Sequence, residues 1–174
     1  MPMRLLLLLA LLQTPATPAT ADGPCTAAEH HQFDFWVGDW DVRAATGQAL
    51  GTNHITSILG GCALQENWSS ANGKSRGVSI NAFDPADHRW HQEWVDNSPS
   101  RLTLTGGLVS GRMVMEQREP PSADGKVQVQ RITWTPLEDG RVRQHWEVSG
   151  DGGATWKTSF DGYYSRRPAG PPGV

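Results

Sequence analysis

Several common chemistries have little to draw on in this chain. It has two cysteines, Cys25 and Cys62, so there is no Cys-x-x-Cys redox pair, and no His/Cys/carboxylate spacing matches a closed zinc site. No Gly-x-Ser-x-Gly elbow and no glycine-rich loop opening a helix occurs, so the signatures of α/β-hydrolases and nucleotide-binding folds are missing. No block of like charge is present. The basic pairs Arg141/Arg143 and Arg166/Arg167 fall at strand positions or near the C-terminus, which leaves no basic face for nucleic acid. No segment repeats with a period of roughly 20 to 50 residues, which argues against solenoids and propellers. The apolar run Leu5–Leu12 is far shorter than the ~20 residues of a spanning helix, so no membrane span is expected.

That apolar run reads instead as part of an export leader. Arg4 precedes it, and a Pro/Thr/Ala stretch follows, ending in the A-x-A signal Ala19-Thr20-Ala21. Residues 1–21 are expected to be a signal peptide, residues 22–167 one domain, and the Pro/Gly-rich residues 168–174 a disordered tail. Asp22-Gly23-Pro24 is a poor context for lipidating Cys25. Loss of Arg4 leaves 14 basic residues (15 minus 1) against 18 acidic, a net charge of −4. A periplasmic or extracellular location follows, where Cys25 and Cys62 are expected to form a disulfide.

What the chain has in abundance is turn punctuation and tryptophan. Thr26-Ala27-Ala28-Glu29 is a capping box, so a short helix is expected from about Ala27 to Phe35, too short to stand alone and docked on one end of the fold. After Trp40, turn signals recur about every ten residues, among them Gly60-Gly61, Asn72-Gly73, Asn97-Ser98-Pro99, Gly106-Gly107 and Asp139-Gly140. Period-two segments lie between them, roughly at 39–45, 51–59, 62–69, 76–83, 88–96, 101–105, 110–118, 126–135, 141–148 and 156–165. Ten strands in hairpin order predict an all-β, up-and-down antiparallel barrel, which leaves no exposed edge. A two-sheet sandwich is the alternative. Ser149-x-Asp151-x-Gly153-x-Thr155-Trp156 resembles the Asp-box hairpin of sialidase propellers, and a single copy is read as a structural turn.

Eight tryptophans form a pattern. Glu66/Trp68, Gln92/Trp94 and Gln144/Trp146 each put a polar group two residues before an indole, on the same face of a strand. Trp90 joins the second set, and Gln130-Ile132-Trp134 is a looser version. Two readings compete, and in a third some indoles face outward and cover the helix. The indoles fill a packed barrel with the polar groups satisfying their N–H bonds, or they wall a cavity in which Glu66, Gln92 and Gln144 orient a ligand. The ligand-binding set is then Glu66, Trp68, Trp90, Gln92, Trp94, Trp134, Gln144 and Trp146, and the partner a small apolar or amphipathic molecule.

His91, Glu93, Val95 and Arg143, His145, Glu147 fall on the opposite face, where cross-strand pairs explain them. No metal or cofactor is expected. His30 and His31 diverge by ~100° on a helix, and a haem held by one histidine would fall to His54, His91 or His145. An enzyme using the same cavity for acid/base chemistry (isomerase, cyclase or hydratase) is the alternative function, with no catalytic residue identified. A packed barrel acting through its surface is the third. A monomer or homodimer is expected.

Several segments carry a family resemblance. They are Phe33-Asp34-Phe35-Trp36-Val37-Gly38-Asp39-Trp40-Asp41-Val42, Gly60-Gly61-Cys62-Ala63-Leu64-x-Glu66, Trp90-His91-Gln92-x-Trp94-Val95-Asp96-Asn97, Arg131-Ile132-Thr133-Trp134-Thr135, Val142-Arg143-Gln144 and Phe160-Asp161-Gly162-Tyr163-Tyr164. Together they resemble the bacterial domain of unknown function 1579, a likeness that implies no activity. Gly38-x-Trp40 also resembles the first-strand signature of lipocalin-like (calycin) barrels. That likeness implies a tryptophan plugging the barrel floor and a basic residue of the last strand, here Arg166, stacked over it.

Overall fold

The computed structural model describes residues 24–168. The expected leader and all but the first residue of the expected tail lie outside them. Ten antiparallel strands run in hairpin order: β1 Gly38–Arg43, β2 Ala49–Ile58, β3 Ala63–Ser70, β4 Arg76–Asp84, β5 Arg89–Asp96, β6 Arg101–Val109, β7 Arg112–Arg118, β8 Val129–Pro136, β9 Val142–Ser149 and β10 Lys157–Arg166. β1 pairs with both β2 and β10, so the sheet closes into a barrel with no free edge. The sandwich alternative is thereby set aside.

Alternation decides what faces inward. Along β5, Trp90 and Gln92 are buried and Trp94 and Asp96 half-buried, while Arg89, Glu93 and Val95 are exposed. The outer wall carries charged cross-strand pairs such as Arg143–Asp161 at 2.7 Å and Arg131–Glu147 at 3.1 Å, where a lipid-facing barrel needs a continuous apolar band. Among the described residues no helix is long and apolar enough to cross a membrane.

Hairpin order gives the barrel two distinct ends. The N-terminal segment covers the end where β1, β3, β5, β7 and β9 begin. The expected single helix there is instead two 3₁₀ turns, Ala28–His31 and Asp34–Trp36, and Ala27 rather than Thr26 occupies the first capping position. Breaking the helix lets Phe33 and Trp36 both point into the barrel, where each is fully buried. The Cys25–Cys62 disulfide, spanning 37 residues, ties this segment to the start of β3.

Gly106-Gly107, expected as a turn, lies within β6, and the chain turns at Ser110-Gly111 instead. A Cβ on Gly106 would lie 1.9 Å from the Val114 carbonyl oxygen, so this glycine serves close strand approach rather than reversal.

Candidate functional site

The inward-facing residues form three layers. The layer beneath the N-terminal segment is a packed aromatic floor. Phe33 stacks on Trp36 at 4.9 Å between ring centroids, and meets Trp134 at 5.2 Å and Trp90 at 5.7 Å edge-on. Trp40 sits beside them and donates its indole N–H to the Trp36 carbonyl at 2.8 Å. The Arg166 guanidinium lies 4.5 Å over the Trp40 ring and donates to the Val37 carbonyl at 3.1 Å. Gly38, at φ +147°, leaves room for that arginine, because a Cβ there would lie 2.5 Å from its Nη1.

The middle layer is a polar belt. Gln92 donates to Asn81 at 2.7 Å, Asn81 to Ser79 at 2.9 Å, and Ser79 to the Glu66 carboxylate at 2.7 Å. On the other side Asn53 donates to Glu66 at 2.7 Å and to the Tyr164 hydroxyl at 3.3 Å, and Tyr164 donates to Gln144. The donors converge on Glu66, which is 4% exposed. Burial pushes its carboxyl up from 4.5 to about 7, against the opposing pull of the Asn53 and Ser79 hydrogen bonds. Burial, with Glu66 nearby, also raises the Tyr164 hydroxyl well above its ordinary range.

The third layer is open. Above the belt lies a cavity of about 270 Å³, walled by Trp68, Trp94, Trp146, Phe160, Leu102 and Ile132. Glu66, Gln92, Gln144 and Tyr164 form its inner boundary, and Ser70, Ser75 and Asp96 its mouth. Its aromatic rings are half-buried and lie flat against the wall because glycines make room. A Cβ on Gly51 would lie 2.6 Å from the Trp68 ring, one on Gly77 2.2 Å from Trp94, and one on Gly162 2.6 Å from Phe160. These glycines keep the lumen clear.

Six of the eight residues expected to meet a ligand thus surround one cavity: Glu66, Trp68, Gln92, Trp94, Gln144 and Trp146. Trp90 and Trp134 belong to the packed floor instead. Trp94 lies four positions beyond Trp90, which at ~3.3 Å per residue carries the second indole to the far side of the belt. The polar partners Glu66, Gln92 and Gln144 bond Asn53, Ser79, Asn81 and Tyr164 rather than the indoles two residues on. Trp146 donates to Gln130 at 3.1 Å, while the N–H groups of Trp36, Trp90 and Trp134 have no acceptor among the described residues. Asn53, Ser79, Asn81 and Tyr164, which complete the belt, escaped the sequence reading.

The outer wall accounts for the remaining candidates. His54 pairs with Asp39, His91 with Asp87 at 3.0 Å, and His145 with Thr158 at 3.0 Å. None of the three faces the cavity, so none is placed to bind a haem there. Glu93 pairs with Arg101 and Glu147 with Arg131, and neither forms an acid–base pair inside.

In the Asp-box turn, Asp151 accepts from the Thr155 N–H at 2.8 Å and its hydroxyl at 2.6 Å, and the Gly153 N–H donates to Ser149 at 2.8 Å. Those bonds hold the Asp151 carboxyl well below its ordinary range. Trp156 stacks under Arg131 at 3.9 Å on the outer wall, as a structural turn requires.

A barrel with a buried aromatic cluster is compatible with a lipocalin-like binding fold. No family model matches the chain, and no curated protein matches it in sequence.

Proposed function

We propose that this protein is a periplasmic or extracellular lipocalin-like carrier that holds one small apolar or amphipathic molecule in the open half of its barrel. The observation that carries the reading is the cavity above the belt. Three indoles from three strands and one phenyl ring supply apolar walls, and buried polar groups converge at its base, the usual composition of a small-molecule site. Its volume of about 270 Å³ lies just below the roughly 300–1,000 Å³ usual for such sites, and favours a one- or two-ring molecule over a long acyl chain. The disulfide supports an oxidising compartment. The Arg166–Trp40 stack over Gly38 is the arrangement that kinship with lipocalin-like barrels implies.

Calorimetric titration with 1-naphthylmethanol, a neutral two-ring probe, tests the carrier. One-to-one saturable binding is expected, abolished by Trp68→Ala. Absence of binding by the folded protein contradicts it. One observation favours a second reading, proton-transfer catalysis in the same cavity. The Glu66 carboxyl, at about 7, lies where a general acid or base is most effective. Turnover of a bound ligand that Glu66→Gln reduces more than affinity would establish that reading.

A further inference from the structure

The cavity is chemically one-sided. Its lining carries two carboxylates, Glu66 and Asp96, and no lysine, arginine or histidine among the described residues. Glu66 is the more telling of the two. It is buried at the cavity base yet forms no ion pair among the described residues, and its hydrogen-bond donors, Asn53 and Ser79, are both neutral. The run from Gln92 through Asn81 to Ser79 aims its donors at this carboxylate, supplying dipoles but no full positive charge. A carboxylate has about four lone-pair positions, and these contacts use two.

An anionic ligand would sit beside Glu66 with no cation to compensate either charge, a costly arrangement in a desolvated site. A cation would meet the reverse situation: a carboxylate without a counter-ion and the faces of indole rings, which attract positive charge. The mouth has the same sign. The Ser98 hydroxyl and N–H both bond Asp96 and hold its carboxyl below the usual range, so it stays charged and draws cations inward.

Resting on the carrier reading, we infer that the cavity takes a small amphipathic ammonium compound, its apolar ring against Trp68, Trp94 and Trp146 and its nitrogen directed at the Glu66 carboxylate. Fatty acids and other carboxylate lipids are then the wrong class of cargo, and a primary, secondary or quaternary amine on an aromatic or alicyclic frame is the right one.

A matched series separates this inference from the carrier reading. 1-Naphthylmethylamine, 1-naphthylmethanol and 1-naphthylacetate share one ring system and differ in charge. Titrated calorimetrically into the wild-type protein at about pH 8, where a carboxyl of about 7 is mostly ionised, the amine is expected to bind at least tenfold more tightly than the alcohol, and the acetate most weakly. Glu66→Gln is expected to bring the amine-to-alcohol ratio toward one. Equal affinity for amine and alcohol, or tightest binding of the acetate, overturns the ammonium inference and leaves the carrier intact. No binding of any of the three overturns both. The wild-type series is decisive by itself, should Glu66→Gln fail to fold.

Discussion

The two ends of this barrel use the same side chain for opposite purposes. At the floor, Trp36, Trp40, Trp90 and Trp134 are completely buried around Phe33. At the mouth, Trp68, Trp94 and Trp146 are half-buried around a cavity. What differs is the company they keep. The floor receives an extra segment, the 3₁₀ turns delivering Phe33 and Trp36, stapled by Cys25–Cys62. Among the described residues the mouth receives none, and Gly51, Gly77 and Gly162 let its rings lie flat against the wall. Indole number therefore says little about whether a barrel is solid or hollow. The residues facing each indole decide it.

Truncating one tryptophan at each end breaks this comparison most severely. Trp134→Ala empties a packed site and is expected to cost about 3–5 kcal/mol. Trp94→Ala, at the mouth, is expected to cost less than half of that while weakening ligand binding. Chemical denaturation of both variants checks the contrast, and equal losses would mean the mouth is as solid as the floor. Replacing both cysteines by serine tests the staple. A disulfide closing a loop of 37 residues stabilises by about 4 kcal/mol in the chain-entropy account, so the double variant should unfold at markedly lower denaturant. Its floor indoles should also become quenchable by iodide first.

The belt between the ends has its own signature in pH. Glu66 binds its proton more tightly in the folded state than in the unfolded chain, with a carboxyl raised from 4.5 to about 7. Its ionisation therefore opposes folding. The penalty is absent below about pH 4.5, grows as pH rises, and levels off above 7 at about 3 kcal/mol. The groups facing it from β2, β4, β5 and β9 are Asn53, Ser79, Asn81, Gln92 and Gln144, none of which titrates. Tyr164 on β10 titrates well above this window, and Asp96 at the mouth below it. Glu66→Gln should flatten the stability profile between pH 4.5 and 7 and exceed wild type at pH 8. An unchanged slope would show that Glu66 is not the source. The smallest effect is expected from Gly77→Ala, whose Cβ would lie 2.2 Å from the Trp94 ring. It should push the indole into the lumen, costing ~1–3 kcal/mol as an overpacked site and weakening ligand binding.

Most of the barrel was legible because turn residues and period-two alternation report directly on strands and faces. Height along the barrel axis was not legible. Trp90 and Trp94 share a face, and only hairpin direction and the docked N-terminal segment reveal that one is floor and the other mouth. Glu66, Gln92 and Gln144 stood out beside tryptophans. Asn53, Ser79 and Asn81 did not, because a lone Asn or Ser in a strand resembles a surface residue. Their parity was the available signal: Asn53 alternates with Gly51 and Ile55, and Ser79 and Asn81 with Gly77, all facing inward. The expected helix became two 3₁₀ turns because burying both Phe33 and Trp36 outweighed a capping box in a segment too short for helical cooperativity.

The most direct test is nuclear magnetic resonance of the indole N–H groups on addition of 1-naphthylmethylamine. Saturable shifts are expected for Trp68, Trp94 and Trp146, with Trp36, Trp40, Trp90, Trp134 and the outer-wall Trp156 unmoved. Shifts confined to the floor set or to Trp156, or no shift at any indole, would contradict a barrel solid at one end and receptive at the other.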